Sequence, residues 1–180
     1  MDPHSTRERY GALARWLHWA MFAIIAVQVA GGLALDRVPR TSPLRGFAFD
    51  AHETLGIVAL LLVLARLAWN RAHPGPAPEG TGWQHTAAKA AHGALYLLMI
   101  AVPVAGYAMM DAKGYGVAFF GWEAPEFIAT DAGLAERLNR LHERLAWAFA
   151  GLVALHVAAA FWHHFGLRDG TLARMLPDRG

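Results

Sequence analysis

Apolar residues fall into four long runs, at about 13–35, 51–70, 87–110 and 136–166, with short polar stretches between them. Each run is near the ~20 residues that an α-helix needs to cross a ~30 Å hydrocarbon layer. A helix in a soluble bundle keeps a polar stripe along one face. Val58–Ala65 has no such stripe, and from Leu145 to Ala160 the one polar side chain is His156. The pattern predicts an all-α fold, an integral membrane four-helix bundle. A polar tail occupies 1–10 and a single transmembrane domain occupies 11–177.

The breaks refine this picture. Residues 36–50 carry Arg37, Arg40 and Arg45 with Pro39 and Pro43, and read as a short basic extended loop. Residues 73–83 are rich in proline and glycine and cannot be helical. Pro103 lies inside the third run and should kink it. The stretch 111–133 holds Tyr115, Phe119, Phe120 and Trp122 among acidic residues, and reads as a membrane-surface connection with a short helix. Asp131 is placed to cap the last helix. The first run is basic in front and ends in small residues, as a secretory signal does. It is long for one and carries His18, so it reads as a retained span.

Composition narrows the chemistry. The 180 residues include ten histidines and no cysteine. Covalent c-type haem, cysteine-held iron–sulfur clusters, thiolate-ligated haem and disulfides are therefore excluded. Glycine-rich nucleotide loops are absent, and nothing points to nucleic acid. With the N-terminus inside, the inner side collects nine Lys and Arg against seven outside. That is a small bias toward cytoplasmic termini under the positive-inside rule.

Histidine depth carries the functional signal. His142 and His156 are fourteen residues apart on the last span. A 100° turn and ~1.5 Å rise per residue put them on nearly one face, about 21 Å apart. In an antiparallel bundle His52, at the start of span two, shares the depth of His142. His18, near the start of span one, shares the depth of His156. Two pairs result, each joining two helices, as an axial His–iron–His clamp across a haem requires. Gly56 and Gly151 offer room for porphyrin faces. A zinc or copper site would instead want a cluster at one depth. His92 lies at the inner depth too and competes with His18 as partner of His156. Arg66, fourteen residues after His52, suits the inner haem propionates, and Arg144 beside His142 the outer ones. His4, His73 and His85 lie in tails or links and read as surface groups.

The segments WLHW around His18, AHETLGI around His52, LHERLAW around His142, LHVAAAFWHHF from His156 and the ending TLARMLP resemble the prokaryotic cytochrome b561 family. The resemblance runs from Arg9 to Pro177. It implies a four-span cytochrome of the bacterial inner (plasma) membrane with two b-haems per chain, ligated by His18, His52, His142 and His156. The six-span, vitamin C-dependent relatives of eukaryotes do not fit. The resemblance further implies superoxide as a donor at the outer face and ubiquinone as acceptor, with His163 touching the quinone. Arg37, Arg40, Arg45 and Arg140, with Arg137 and Arg144, are then candidates to steer the superoxide anion, provided they cluster.

Two rivals remain at this point. One is a cytochrome b subunit that anchors a larger dehydrogenase, and the other a haem or metal transporter. A co-purifying polypeptide would mark the first, and exchangeable, substoichiometric haem the second.

Overall fold

The computed structural model describes residues 9–35, 37–39, 41–76 and 82–176. Four helices dominate it: α1 (Ala12–Leu35), α2 (Leu44–Ala72), α3 (Trp83–Lys113) and α4 (Ala132–Phe161), the last continued by a π-helical turn, Trp162–Leu167. All four are long and apolar enough to cross a membrane. Helix α1 packs on α2, α2 on α3, and α3 most extensively on α4. Phe22, Ile25, Val29, Ala150, Val153 and Ala154 line an apolar groove between α1 and α4. Large apolar side chains such as Val27, Leu61, Leu97 and Leu155 remain exposed on the helices. That is the surface a bilayer solvates and water does not.

The helices alternate in direction. One end of the bundle, the terminal side, gathers the start of α1, the end of α2, the start of α3 and the end of α4. The opposite end carries the α1–α2 and α3–α4 connections, and is here called the hairpin side.

Two local expectations change, and a third falls mostly outside the described residues. The polar tail at 1–10 lies outside the described residues except for Arg9 and Tyr10. Arg9 is held, donating to the carbonyls of Ala173 (3.4 Å) and Leu176 (3.1 Å). The extended loop at 36–50 is shorter than its composition suggests, because α2 already begins at Leu44. Pro43 precedes it with φ −63° and ψ −20°, values a helix start accepts, and its missing N–H is one that no helix start uses. The short helix expected in 111–133 is instead a two-stranded hairpin, β1 (Ala118–Phe119) paired with β2 (Trp122–Glu123), antiparallel. Its turn residues Phe120 and Gly121 have φ of 51° and 80°, the two positive values of a type I′ turn. Asp131 caps α4 as its position predicts, accepting from the Leu134 N–H at 2.8 Å.

Candidate functional site

The antiparallel packing brings the histidines together in two places. On the terminal side His18 of α1 and His156 of α4 have ring centroids 6.3 Å apart. On the hairpin side His52 of α2 and His142 of α4 stand 6.4 Å apart. Metal–nitrogen bonds of about 2.0–2.1 Å and an imidazole radius of about 1.15 Å set two rings facing across one metal about 6.3–6.5 Å apart. Both separations match that value. His92 approaches His156 to 5.5 Å, too near to share one metal from opposite faces. Among the described residues no group of three or more His, Cys, Asp or Glu is arranged around a bare metal ion.

Each ring is held by specific neighbours. His142 Nδ1 lies 2.9 Å from the Val102 carbonyl oxygen of α3. A carbonyl only accepts, so Nδ1 carries the proton and Nε2 keeps its lone pair for a ligand. Gly106 makes this approach possible, since a Cβ there would lie 3.0 Å from His142 Cε1 and 3.1 Å from Nδ1. On the same side Gln28 of α1 donates to the His52 carbonyl at 2.9 Å. Gly56 seats that amide, as a Cβ there would be 3.3 Å from Gln28 Nε2. Gly56 thus serves a protein contact; a Cβ at Gly151 meets nothing within 4 Å.

The two residues after His52 fasten the hairpin over this end. Glu53 accepts from the Ala118 N–H at 2.8 Å. The Thr54 hydroxyl donates to the Ala118 carbonyl and accepts from the Phe120 N–H, both at 3.4 Å. The AHETLG segment therefore supplies both a candidate ligand and the anchor of the hairpin.

On the terminal side Arg66 lies 2.9 Å from His18 Nδ1 and donates from Nε to the Tyr96 hydroxyl at 3.1 Å. Asn70 donates to the same hydroxyl at 2.9 Å. A guanidinium only donates, so His18 accepts at Nδ1 in this arrangement. Trp19 meets the His18 ring edge-on at 5.4 Å and donates to the Met175 carbonyl at 2.8 Å. The TLARML segment thus folds back onto the start of α1.

His163 sits in the π-helical turn, an insertion often found at functional positions. Its Nδ1 is 2.5 Å from Asp169 Oδ2, and the ring is one-third exposed. Burial raises the Asp169 carboxyl, but hydrogen bonds from His163 and Thr171 outweigh it and hold the group below its ordinary range. His164 turns away and packs edge-on against Phe165.

Three of the candidate steering residues are engaged within the chain. Arg37 donates to the Leu33 carbonyl, while Arg45 donates to the carbonyls of Leu35 (3.2 Å) and Val38 (2.5 Å) and covers the Phe49 ring. These two cap the end of α1. Arg140 is paired with Glu136 one turn earlier. Arg144 is exposed, and Arg40 lies outside the described residues. Sequence reading missed Gly106, Glu53, Thr54, Gln28, Tyr96 and Asp169. The acidic and hydroxylic residues adjoining His52 and following His163 were the available signals.

Comparison with known proteins agrees with the architecture. The family described as prokaryotic cytochrome b561 matches residues 9–178. The chain is similar to "Cytochrome b561 homolog 2" of Escherichia coli (strain K12), 33% identical over 96% of this chain and 93% of that protein. It is 29% identical to "Cytochrome b561 homolog 1" of the same organism, over 95% of this chain and 98% of that one. It is 28% identical to the "Probable superoxide oxidase CybB" of Yersinia pestis, over 96% and 98%. With four membrane-length helices and a family match across nearly its whole length, this chain is a multi-pass membrane electron-transfer cytochrome that binds haem b, a member of the prokaryotic cytochrome b561 family.

Proposed function

We propose that the chain holds two b-haems, one between His52 and His142 and one between His18 and His156. It carries single electrons from superoxide at the hairpin side to ubiquinone at the terminal side. The observation that carries this reading is the pair of centroid separations, 6.3 and 6.4 Å, at two depths fourteen residues apart on α4. The similarity to a protein named as a probable superoxide oxidase supports the donor. The small excess of basic residues supports cytoplasmic termini in a bacterial inner membrane, with the hairpin side facing out.

When bound, each haem supplies an iron that accepts and returns one electron. The protein's part is to hold, orient and exclude. His142, protonated at Nδ1 by its bond to Val102, keeps the Nε2 lone pair for a ligand. With a haem held by His18 through Nε2, the ring proton would stand on Nδ1, which would then no longer accept from Arg66. Arg66 is then the cation available to the terminal-side propionates, and Arg144 to the hairpin-side ones. The hairpin, clamped by Glu53 and Thr54, limits water access to the first pair. His163, partly exposed near the end of α4, is the group that meets the quinone.

A second reading has its own support. Arg37, Arg45 and Arg140 are engaged within the chain, and Tyr115, Phe120, Trp122 and Phe127 of the α3–α4 connection are exposed. A dehydrogenase docked on that aromatic surface would make this chain its electron-transfer subunit. Stopped-flow mixing of the oxidised protein with superoxide, with and without ubiquinone, decides between them, with haem counted by pyridine haemochrome. Two haems reduced in milliseconds and reoxidised by quinone are expected. Two haems that ignore superoxide yet equilibrate with quinol would move the function to the second reading.

A further inference from the structure

After the π-helical turn the backbone reverses at Arg168, whose φ of 54° is left-handed. The reversal returns Asp169 beneath His163, and the Asp169 N–H donates to the His163 carbonyl at 3.2 Å. Both carboxylate oxygens are used: Oδ2 faces His163 Nδ1 at 2.5 Å, and Oδ1 accepts from the Thr171 N–H at 2.9 Å. The Thr171 hydroxyl adds a weaker contact to His163 Nδ1 at 3.5 Å. The following short 3-10 turn, Ala173–Met175, is tied to α1 through Trp19 and to the residues just before it through Arg9. The carboxylate is therefore fixed at both ends by the fold, while His163 Nε2 has no hydrogen bond among the described residues.

An ionised carboxylate accepts and cannot donate, so the shared proton stands on Nδ1. That sets the tautomer and aim of the ring, leaving Nε2 free to exchange a proton with whatever occupies the exposed edge. Helical phase alone would hold the ring less firmly, because an exposed histidine samples several rotamers.

We propose that Asp169 is a positioning residue that locks His163 into a proton-delivery dyad for the quinone, with Thr171 holding the carboxylate. The proposal rests on the quinone contact of His163 put forward above. In overall balance, two superoxide anions, ubiquinone and two protons give two dioxygen molecules and ubiquinol. His163 supplies one proton at a time: its Nε2–H bond breaks as an O–H bond forms on a quinone carbonyl oxygen. The ring is left neutral with Nδ1–H on Asp169, which stays ionised throughout. Water on the terminal side returns a proton to Nε2 before the second delivery.

The test uses the haem-loaded, full-length protein in lipid nanodiscs, as wild type, Asp169→Asn, Asp169→Glu and His163→Phe. Pre-reduced protein is mixed with short-chain ubiquinone, which needs protons, or with ferricyanide, which does not. Ring 15N shifts of labelled histidine report the His163 tautomer independently of turnover. Asp169→Asn should slow reoxidation by saturating quinone at least about tenfold and His163→Phe about a hundredfold or more. Ferricyanide rates should stay within about twofold. The Asn variant should lose the Nδ1–H signature, and Asp169→Glu should recover part of both. A slow His163→Phe beside an unaffected Asp169→Asn overturns the role of Asp169 and leaves the quinone contact standing. Wild-type quinone kinetics in His163→Phe remove His163 from the site and the dyad with it. Equal slowing toward both oxidants, with an unmoved 15N signature, makes Asp169 merely structural and also overturns the proposal.

Discussion

Gly106 gives the sharpest prediction, because the space it leaves is measured. A methyl group there meets His142 Cε1 at 3.0 Å and Nδ1 at 3.1 Å, where ordinary contact begins at 3.4 Å. In Gly106→Ala the ring must retreat by about 0.4 Å, roughly twice the ~0.2 Å tolerance of a metal–ligand distance. The same movement stretches the 2.9 Å bond to Val102 toward the limit of a useful hydrogen bond. Losing that bond costs about 0.5–1.5 kcal/mol. Replacing glycine by alanine inside a helix returns about 0.8–1.0 kcal/mol. Folding stability should therefore barely change, and the damage should fall on the hairpin-side haem. Loss of an outer-shell partner weakens metal sites about 10–100-fold. Haem titration of purified Gly106→Ala should show one wild-type site and one weakened site, with an unchanged melting temperature. Gly46→Ala, where the added Cβ meets nothing within 4 Å, is the control. Two full-affinity haems with wild-type spectra in Gly106→Ala would refute the notch that places His142.

The remaining predictions probe other links. His52→Ala and His142→Ala should each remove the same haem and spare the other; loss of different haems in the two variants, seen by low-temperature optical spectra, sinks the pairing. Arg66→Leu removes a positive charge beside His18 and should lower the potential of the terminal-side haem alone, by about 50–100 mV in a redox titration. Glu136→Gln releases Arg140, and one unit charge about 10 Å away in water is worth ~0.4 kcal/mol. Superoxide should then react about twofold faster at low salt, with the gain erased at high ionic strength. The depressed Asp169 carboxyl gives a pH signature. Its contribution is present above the ordinary carboxylate value of 3.8 and is lost as pH falls through the lower folded value, so hydrogen exchange at the Thr171 amide should accelerate only below that range. In Asp169→Asn that exchange should be fast at neutral pH as well.

The spans and the histidine pairs were legible because both rest on long-range regularities. An unbroken apolar run has one reading at membrane length. The fourteen-residue step on α4 fixes two depths whatever the loops do. The α1–α2 connection was less legible, because prolines and arginines that read as an extended loop also suit a helix start and cations that cap the end of α1. The hairpin was hidden by its aromatic residues: Phe120 takes a positive φ that its side chain disfavours, and it is held there by Thr54 from another helix. Gly106 and Val102 were illegible for a different reason. Their role is a backbone approach between α3 and α4, and no spacing within one helix encodes the phase of its neighbour.

The same limit explains why the ends of α4 differ in kind. On the hairpin side the ring partners come from distant helices, the Val102 carbonyl for His142 and Gln28 beside His52, so the pair there depends on the whole bundle being assembled. At the terminal side His163 is oriented by a residue six positions later, through a π-helical turn and a left-handed Arg168. A proton-handling group must exchange with water, and a local loop can hold a side chain firmly while leaving it at the surface. A metal-ligating group must keep one bond length in one direction, which packed helices enforce and loops do not. Under the proposed roles the division of labour along α4 follows from chemistry: assembled helices for the groups that would hold electrons, and a short local turn for the group that would pass protons.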